Sequence, residues 1–396
     1  MKYIFLVPDG MSDLPLAELD GQTPMQAART PNFDTLANDA LVGAVLTVPQ
    51  GMYPGSDAAN MSLLGYDPRQ YYTGRGPIEA VAMGVPLDSR DVAYRCSLVT
   101  SDGTTMLDYS SGHISTEESQ ELIQLVNSKL GGRAFSFYPG VSYRHIMAWR
   151  SGEANVKTTP PHDFVGQPLE AYWPEGDGAE KLKQTMLDSL DLLDNHPINR
   201  KRRDDGKNPG NMIWLWGQGY APNMPTFFAT HGKTAAVITA VDVVRGLGRA
   251  TSMDIINVPG ATGFIDTNYL GKAQYALAAL DNHDFVYVHV ESPDESGHLG
   301  NIDYKVRSIE DIDKKVLGPI LEGMRKRGDF RLLIAPDHAT PIAKKTHAEG
   351  PVPFLLYDSR KPNRQSHFPF DERAITEATT QVEDGTRLIK MLFQER

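Results

Sequence analysis

Six short apolar runs rich in β-branched residues recur along the chain: Tyr3–Val7, Ala235–Thr239, Asp254–Val258, Phe285–Glu291, Phe330–Ala335 and Val352–Tyr357. Runs of this length read as buried strands, and helical spacing fills segments between them. Tyr304–Arg327 is the plainest helix, with Val306, Ile309, Ile312, Val316, Ile320 and Met324 recurring three or four residues apart. Alternation of this kind predicts an α/β fold: a mainly parallel central sheet flanked by helices.

Residues 91–211 differ in texture. Isolated polar and aromatic residues are commoner there, and the segment contains Thr159-Pro160-Pro161-His162. Strands resume afterwards. We therefore expect a core domain of residues 1–90 and 212–396, interrupted by a smaller α+β domain of residues 91–211. The basic stretch Asn199–Gly206 reads as a solvated loop.

With 396 residues, and roughly 150 per domain, two or three folding units are expected. The 40% hydrophobic content supports a large core and excludes disorder. Asp and Glu number 50 against 39 Lys and Arg. A net charge of −11 argues against a nonspecific nucleic-acid binder, although a metal or a few arginines can still create a local anion site. Cys96 is the single cysteine, so neither an intrachain disulfide nor a cysteine zinc site can form. The apolar run Tyr3–Val7 is too short for a signal peptide, and no run approaches the roughly 18 residues of a membrane span. A cytoplasmic protein is expected, with no membrane partner.

Chemistry gathers where strands end. Asp9 follows the first run, Asp294 and His298 follow the fourth, Asp337 and His338 follow the fifth, and His347 precedes the sixth. In open α/β sheets, ligands sit beyond the carboxyl ends of strands. Carboxylate and imidazole together suit Zn²⁺ or Mn²⁺. Asp294 and His298 are four apart, so one helical turn places both on one face. Asp337 and His338 are adjacent and converge only if the strand has already ended. Each alone has a plain structural explanation; their joint recurrence at strand ends does not.

Ser56, in Pro54-Gly55-Ser56-Asp57, is the candidate nucleophile. A serine there also makes an ordinary helix cap. The same position exposes its hydroxyl to the positive end of a helix, where a metal would favour the alkoxide.

These segments resemble the alkaline phosphatase superfamily and, within it, the archaeal-type cofactor-independent phosphoglycerate mutases. The likeness runs nearly end to end. It is carried by Pro8–Asp13, Pro54–Asp57, Gly65–Pro68, Tyr72–Pro77, Pro259–Gly263, Asp294–His298, Pro336–Pro341 and His347 before Pro351-Val352-Pro353. The resemblance implies an alkaline-phosphatase-like core with an inserted lid. It implies one divalent ion on Asp294, His298 and His347, and a second on Asp9, Ser56, Asp337 and His338. Mn²⁺ or Zn²⁺ are the expected ions, with Mg²⁺ and Co²⁺ as further candidates, and 2,3-bisphosphoglycerate is not required. It further implies a phosphoserine on Ser56 and a small phosphorylated metabolite as partner, with 2- and 3-phosphoglycerate interconverted.

A phosphoglycerate carboxylate needs cationic groups beyond the metals, and Arg75, Arg95, His113, Arg144 and Lys233 are the candidates. One stretch departs from the resemblance. Asp108-Tyr109-Ser110-Ser111-Gly112-His113-Ile114 stands where the archaeal mutases are Arg-rich. That departure keeps a second reading open: phosphoryl transfer to another small alcohol, such as homoserine, as proposed for a related bacterial branch. There Asp108 and Tyr109 would meet an amino group. Phosphate-ester hydrolysis, or metal binding without catalysis, is the third reading.

Overall fold

The computed structural model describes residues 1–361 and 368–394. The chain forms two compact units: Met1–Tyr72 together with Met224–Arg396, and Thr73–Asn223.

The first unit is built on an eight-stranded sheet. Its spatial order is Asp254–Ile255, Ala235–Ile238, Phe285–Val290, Lys2–Pro8, Phe330–Ile334, Val352–Asp358, Leu41–Val45, Gln381–Val382. Val352–Asp358 pairs antiparallel with both neighbours, and the other recorded pairings are parallel. Ile4, Leu6, Val286, Val288, Leu332 and Ile334 share one face of adjacent strands, where two-residue periodicity puts them. They pack with Ile309, Ile312, Val316, Ile320 and Met324 in the same core cluster. Burying each such side chain contributes roughly 1.5–3 kcal/mol. The mainly parallel, helix-flanked sheet is the expected α/β core.

The helix expected over residues 304–327 divides into Ile302–Ile312, a π turn at Asp313–Leu317, and Gly318–Arg327. Pro319 accounts for the break, because it lacks an N–H and crowds the carbonyl four residues earlier. The strand expected at Asp254–Val258 is limited to Asp254–Ile255.

The second unit is α+β. Val92–Ser101 is its central strand, antiparallel to Arg144–Trp149 on one side and Met212–Tyr220 on the other. The latter pairing carries the unit's end from residue 211 to Asn223. At the other end, the helix Arg75–Met83 joins the insert, which starts at Thr73 rather than residue 91. The stretch read as a solvated loop is instead part of the helix Pro197–Asp204. Proline at its first position favours helix initiation. Asn199 and Arg202, three residues apart, face inward. Arg202 donates to Glu118 Oε2 at 2.6 Å and to the Ser111 and Asn208 carbonyls at 2.7 and 2.8 Å.

A candidate dinuclear metal centre and an arginine cluster

In the first unit, the carboxyl ends of three adjacent parallel strands carry the metal candidates. Asp9 directly follows Lys2–Pro8. Gly10 sits at φ +61°, and a Cβ there would lie 2.7 Å from the Asp294 Cβ, so glycine lets the two loops close up. Asp294 and His298 occupy successive turns of Ser292–Leu299, with Asp294 Oδ2 3.2 Å from His298 Nε2. Phe330–Ile334 ends three residues before Asp337, which meets the condition for Asp337 and His338 to converge. His347 enters ahead of the reversed strand Val352–Asp358 and so reaches the same edge.

Two donor sets result. In the first, His347 Nε2 lies 3.5 Å from Asp294 Oδ1 and 3.1 Å from His298 Nε2. In the second, His338 Nε2 lies 3.1 Å from Ser56 Oγ and 3.6 Å from both Asp9 Oδ1 and Asp337 Oδ2. Tautomers follow from the hydrogen bonds. Thr340 Oγ1 donates its hydrogen to Asp294, so it accepts from His338 Nδ1–H at 3.2 Å and leaves Nε2 with a lone pair. His298 Nδ1 donates likewise to the Lys345 carbonyl at 3.0 Å. Both arrangements turn the Nε2 nitrogens inward, as metal ligation requires.

The electrostatics call for cations. Burial, with the Asp337 and Asp294 carboxylates, pushes Asp9 well above the usual carboxylate range. Burial also opposes charge on Asp294, but His298 and His347 override it and hold the carboxyl well below that range. Asp9 Oδ1 is buried with no hydrogen-bond partner. Buried carboxylates, inward-facing imidazole nitrogens and an unpartnered oxygen fit divalent ions.

Ser56 is the first residue of the helix Ser56–Leu63, and Gly55 occupies the capping position. The serine hydroxyl lies 3.1 Å from His338 Nε2 instead of capping the helix. Two residues missed from the sequence support this centre. Asn60, one turn after Ser56, donates to the Ser56 carbonyl and to Asp337 Oδ2, both at 2.8 Å, and accepts from Tyr287 Oη at 2.6 Å. Its four-residue spacing from Ser56 was a usable signal. His289 lies fully buried 3.2 Å from Asp9 Oδ2. Within an apolar strand it carried no signal beyond that of a core histidine.

Lys233 is not brought to this centre. It precedes Ala235–Ile238 at the opposite, amino-terminal edge of the sheet, with its ammonium 5.3 Å from the centre of the Tyr3 ring.

The other cation candidates lie in the second unit. Glu79, buried on Arg75–Met83, sits 2.9 Å from Arg75 Nε and 3.0 Å from Arg95 Nε. Register pairs Arg95 with Trp216 and Ser97 with Arg144, which places all four on one face of the sheet. The Arg95 guanidinium lies 4.6 Å from the Trp216 ring centre. Burial lowers Arg95 to about 10 against the pull of Glu79. Burial also opposes charge on Glu79, yet Arg95 and Arg75 keep it below its ordinary value. A row of rings continues from Trp216 through His162, Tyr109 and Tyr143 to His113, with neighbouring centres 5.4–6.1 Å apart. Glu79, Tyr109, Tyr143, His162 and Trp216 were not among the sequence candidates for the carboxylate site.

Asp108 has a local task. Its Oδ1 accepts from the Ser110 N–H and hydroxyl, and its Oδ2 from Gly112 N–H and Asn208 Nδ2, all at 2.7–2.8 Å. It therefore builds its own turn.

Fold and donor chemistry together define an α/β protein with a candidate divalent-metal centre at its strand ends. The family model of 2,3-bisphosphoglycerate-independent phosphoglycerate mutase matches residues 37–199. A probable enzyme of that name from Geobacter sulfurreducens is 51% identical over 99% of this chain and 100% of its own length. One of that name from Methanosarcina barkeri is 46% identical over the full length of both. Among solved structures, the PH0037 protein of Pyrococcus horikoshii superposes with TM-score 0.84 at 28% identity, covering 100% of this chain and 98% of its own. The cofactor-independent phosphoglycerate mutase of Thermoplasma acidophilum gives 0.68 at 27%, covering 100% and 99%. The chain belongs to the 2,3-bisphosphoglycerate-independent phosphoglycerate mutase family. Among the described residues, no helix is long and apolar enough to cross a membrane.

Proposed function

We propose that this protein interconverts 2-phosphoglycerate and 3-phosphoglycerate through a phosphoserine on Ser56. The observation that carries the reading is the Ser56 hydroxyl, uncommitted to capping and 3.1 Å from His338 Nε2 inside a buried carboxylate–imidazole cluster. Asp294, His298 and His347 would hold one divalent ion, and Asp9, Ser56, Asp337 and His338 the other. Such ions supply charge neutralisation to a phosphoryl group and lower the pKa of a serine hydroxyl. Mn²⁺ and Zn²⁺ are the ions best matched to this mixture of oxygen and nitrogen donors.

In the first half-reaction, Ser56 Oγ loses its proton and forms the new bond to phosphorus, while the bond to the glycerate oxygen breaks and that oxygen takes up a proton. In the second, the other glycerate hydroxyl attacks, and phosphorus departs from Oγ. The N-terminus of Ser56–Leu63 favours negative charge on that oxygen throughout. Asn60 keeps the serine's helix tied to Asp337. Between the halves the glycerate must stay bound and water must stay out, since attack by water gives hydrolysis. We assign the inserted unit to this enclosure. Arg75, Arg95 and Arg144 are assigned to the substrate's anionic groups, with His113 at the end of the ring row as a further contact. The single buried cysteine and the metabolite substrate accord with a cytoplasmic location.

The occupied Asp108 favours this reading over transfer to homoserine. Phosphorus NMR of the Mn²⁺-supplemented protein with 3-phosphoglycerate should show 2-phosphoglycerate appearing without inorganic phosphate. Phosphohomoserine formed from ATP and homoserine, with no isomerisation of phosphoglycerate, would replace the mutase reading with the kinase one.

A further inference from the structure

His289 belongs to the strand Phe285–Val290 and lies in register with Val7, two residues before Asp9 on the neighbouring parallel strand. The ring is fully buried, with Nε2 3.2 Å from Asp9 Oδ2. On its other side, Thr239 Oγ1 lies 3.5 Å from Nδ1. That hydroxyl oxygen also accepts from the Val241 N–H, and its own hydrogen is free to be donated to Nδ1. In that tautomer the ring N–H is on Nε2 and faces the Asp9 carboxylate. Nε2 has no completed hydrogen bond in the protein, and neither has Asp9 Oδ1.

The two Asp9 oxygens therefore have different neighbours. Oδ1 faces His338 Nε2 at 3.6 Å, on the side of Ser56, and Oδ2 faces His289. Asp9, His289 and Asp337 offer donor atoms within 4.8 Å of one another, as do Asp9, Asp294 and His338, and among the described residues no such set contains both histidines. Lys272 fixes the strand at this point by donating from Nζ to the His289 carbonyl at 2.8 Å.

We infer that His289 is a positioning residue for metal binding: its Nε2–H, directed at Asp9 Oδ2 but unbonded in this structure, completes a hydrogen bond there when Oδ1 serves as a ligand beside His338. The inference rests on the metal assignment proposed above. Partners of this kind orient a ligating carboxylate, and their loss typically weakens metal binding roughly 10- to 100-fold. Glutamine places an amide N–H close to where the histidine Nε2–H lies, and alanine offers none.

The test is calorimetric titration with Mn²⁺ of metal-stripped wild type, His289→Ala and His289→Gln, with circular dichroism to confirm folding of each. Wild type should bind two ions. His289→Ala should bind one of them roughly 10- to 100-fold more weakly, and His289→Gln should recover most of that loss. The nitrogen couplings of bound Mn²⁺ in spin-echo spectra should be the same in His289→Gln as in wild type. Loss of a coupling would make His289 a direct ligand and overturn the inference. Two ions bound by His289→Ala with wild-type affinity, or a glutamine variant as weak as the alanine one, would overturn it too. Wild type that takes up no Mn²⁺ would overturn the metal assignment itself, and this inference with it.

Discussion

Ser56 Oγ and His338 Nε2 stand 3.1 Å apart although 282 positions separate them in the chain. One arrives at the start of a helix and the other just beyond a central strand. Because Gly55 occupies the capping position, the serine oxygen is directed at the imidazole rather than at its own helix. The candidate metal ligands and the candidate nucleophile thus form one site in the first unit.

Metal removal should abolish turnover without unfolding the core. Seven oxygen and nitrogen donors exceed what one tetrahedral ion accepts and suit a pair. Elemental analysis should find two divalent ions per chain, and exhaustive chelation should remove activity that Mn²⁺ restores. Full activity in protein free of metal would contradict the dinuclear assignment.

Glu79 should be a stability determinant of the second unit. Arg95 is only 5% exposed and Arg75 44%, so the Arg95 charge depends on Glu79 far more than the Arg75 charge does. Glu79→Ala leaves that guanidinium buried without its counter-charge, at a cost of about 3–5 kcal/mol. Urea denaturation would measure it, and a loss below about 1 kcal/mol would show that water or another group takes over.

Much of this site was legible in the sequence, and the misses have physical reasons. Asp9, Asp294, His298, Asp337, His338 and His347 lie at strand ends, where chain order alone brings them to one edge of a parallel sheet. His289 was illegible because a histidine inside an apolar strand carries the same signature as a core residue. Glu79, four residues after Arg75 on a helix, reads as an ordinary surface pair until Arg95 is added from a distant strand. Arg202 was lost in a basic run whose composition suggested solvent, although three-residue spacing with Asn199 turns both inward. Lys233 shows the converse. It precedes its strand rather than following it, and that order alone places it at the wrong edge.

Stability should fall with rising pH through the titration of Glu372. Its carboxyl accepts from the Asp13 N–H at 2.9 Å and the Thr23 hydroxyl at 2.6 Å, and burial lifts it from 4.5 to about 7. Between those values the folded protein retains a proton that the unfolded chain has released. The contribution is therefore fully present below about pH 4.5 and is lost as pH rises through about 7. Its size is on the order of 3 kcal/mol at most. Glu372→Gln should flatten this part of the profile, read as urea midpoints at pH 5 and pH 8. Equal slopes in the two proteins would assign the pH dependence elsewhere.

The most direct test of the account is the phosphoenzyme. Protein loaded with Mn²⁺, exposed briefly to 3-phosphoglycerate and quenched in acid, should gain one phosphate by intact mass, and peptide mapping should place it on Ser56. Ser56→Ala should remain folded, gain no phosphate and lose turnover by several orders of magnitude. A capping serine would instead cost about 0.5–2 kcal/mol of stability and leave turnover nearly intact. A phosphate mapped to another residue, or near-normal turnover by the alanine variant, would contradict the assignment of Ser56 as nucleophile.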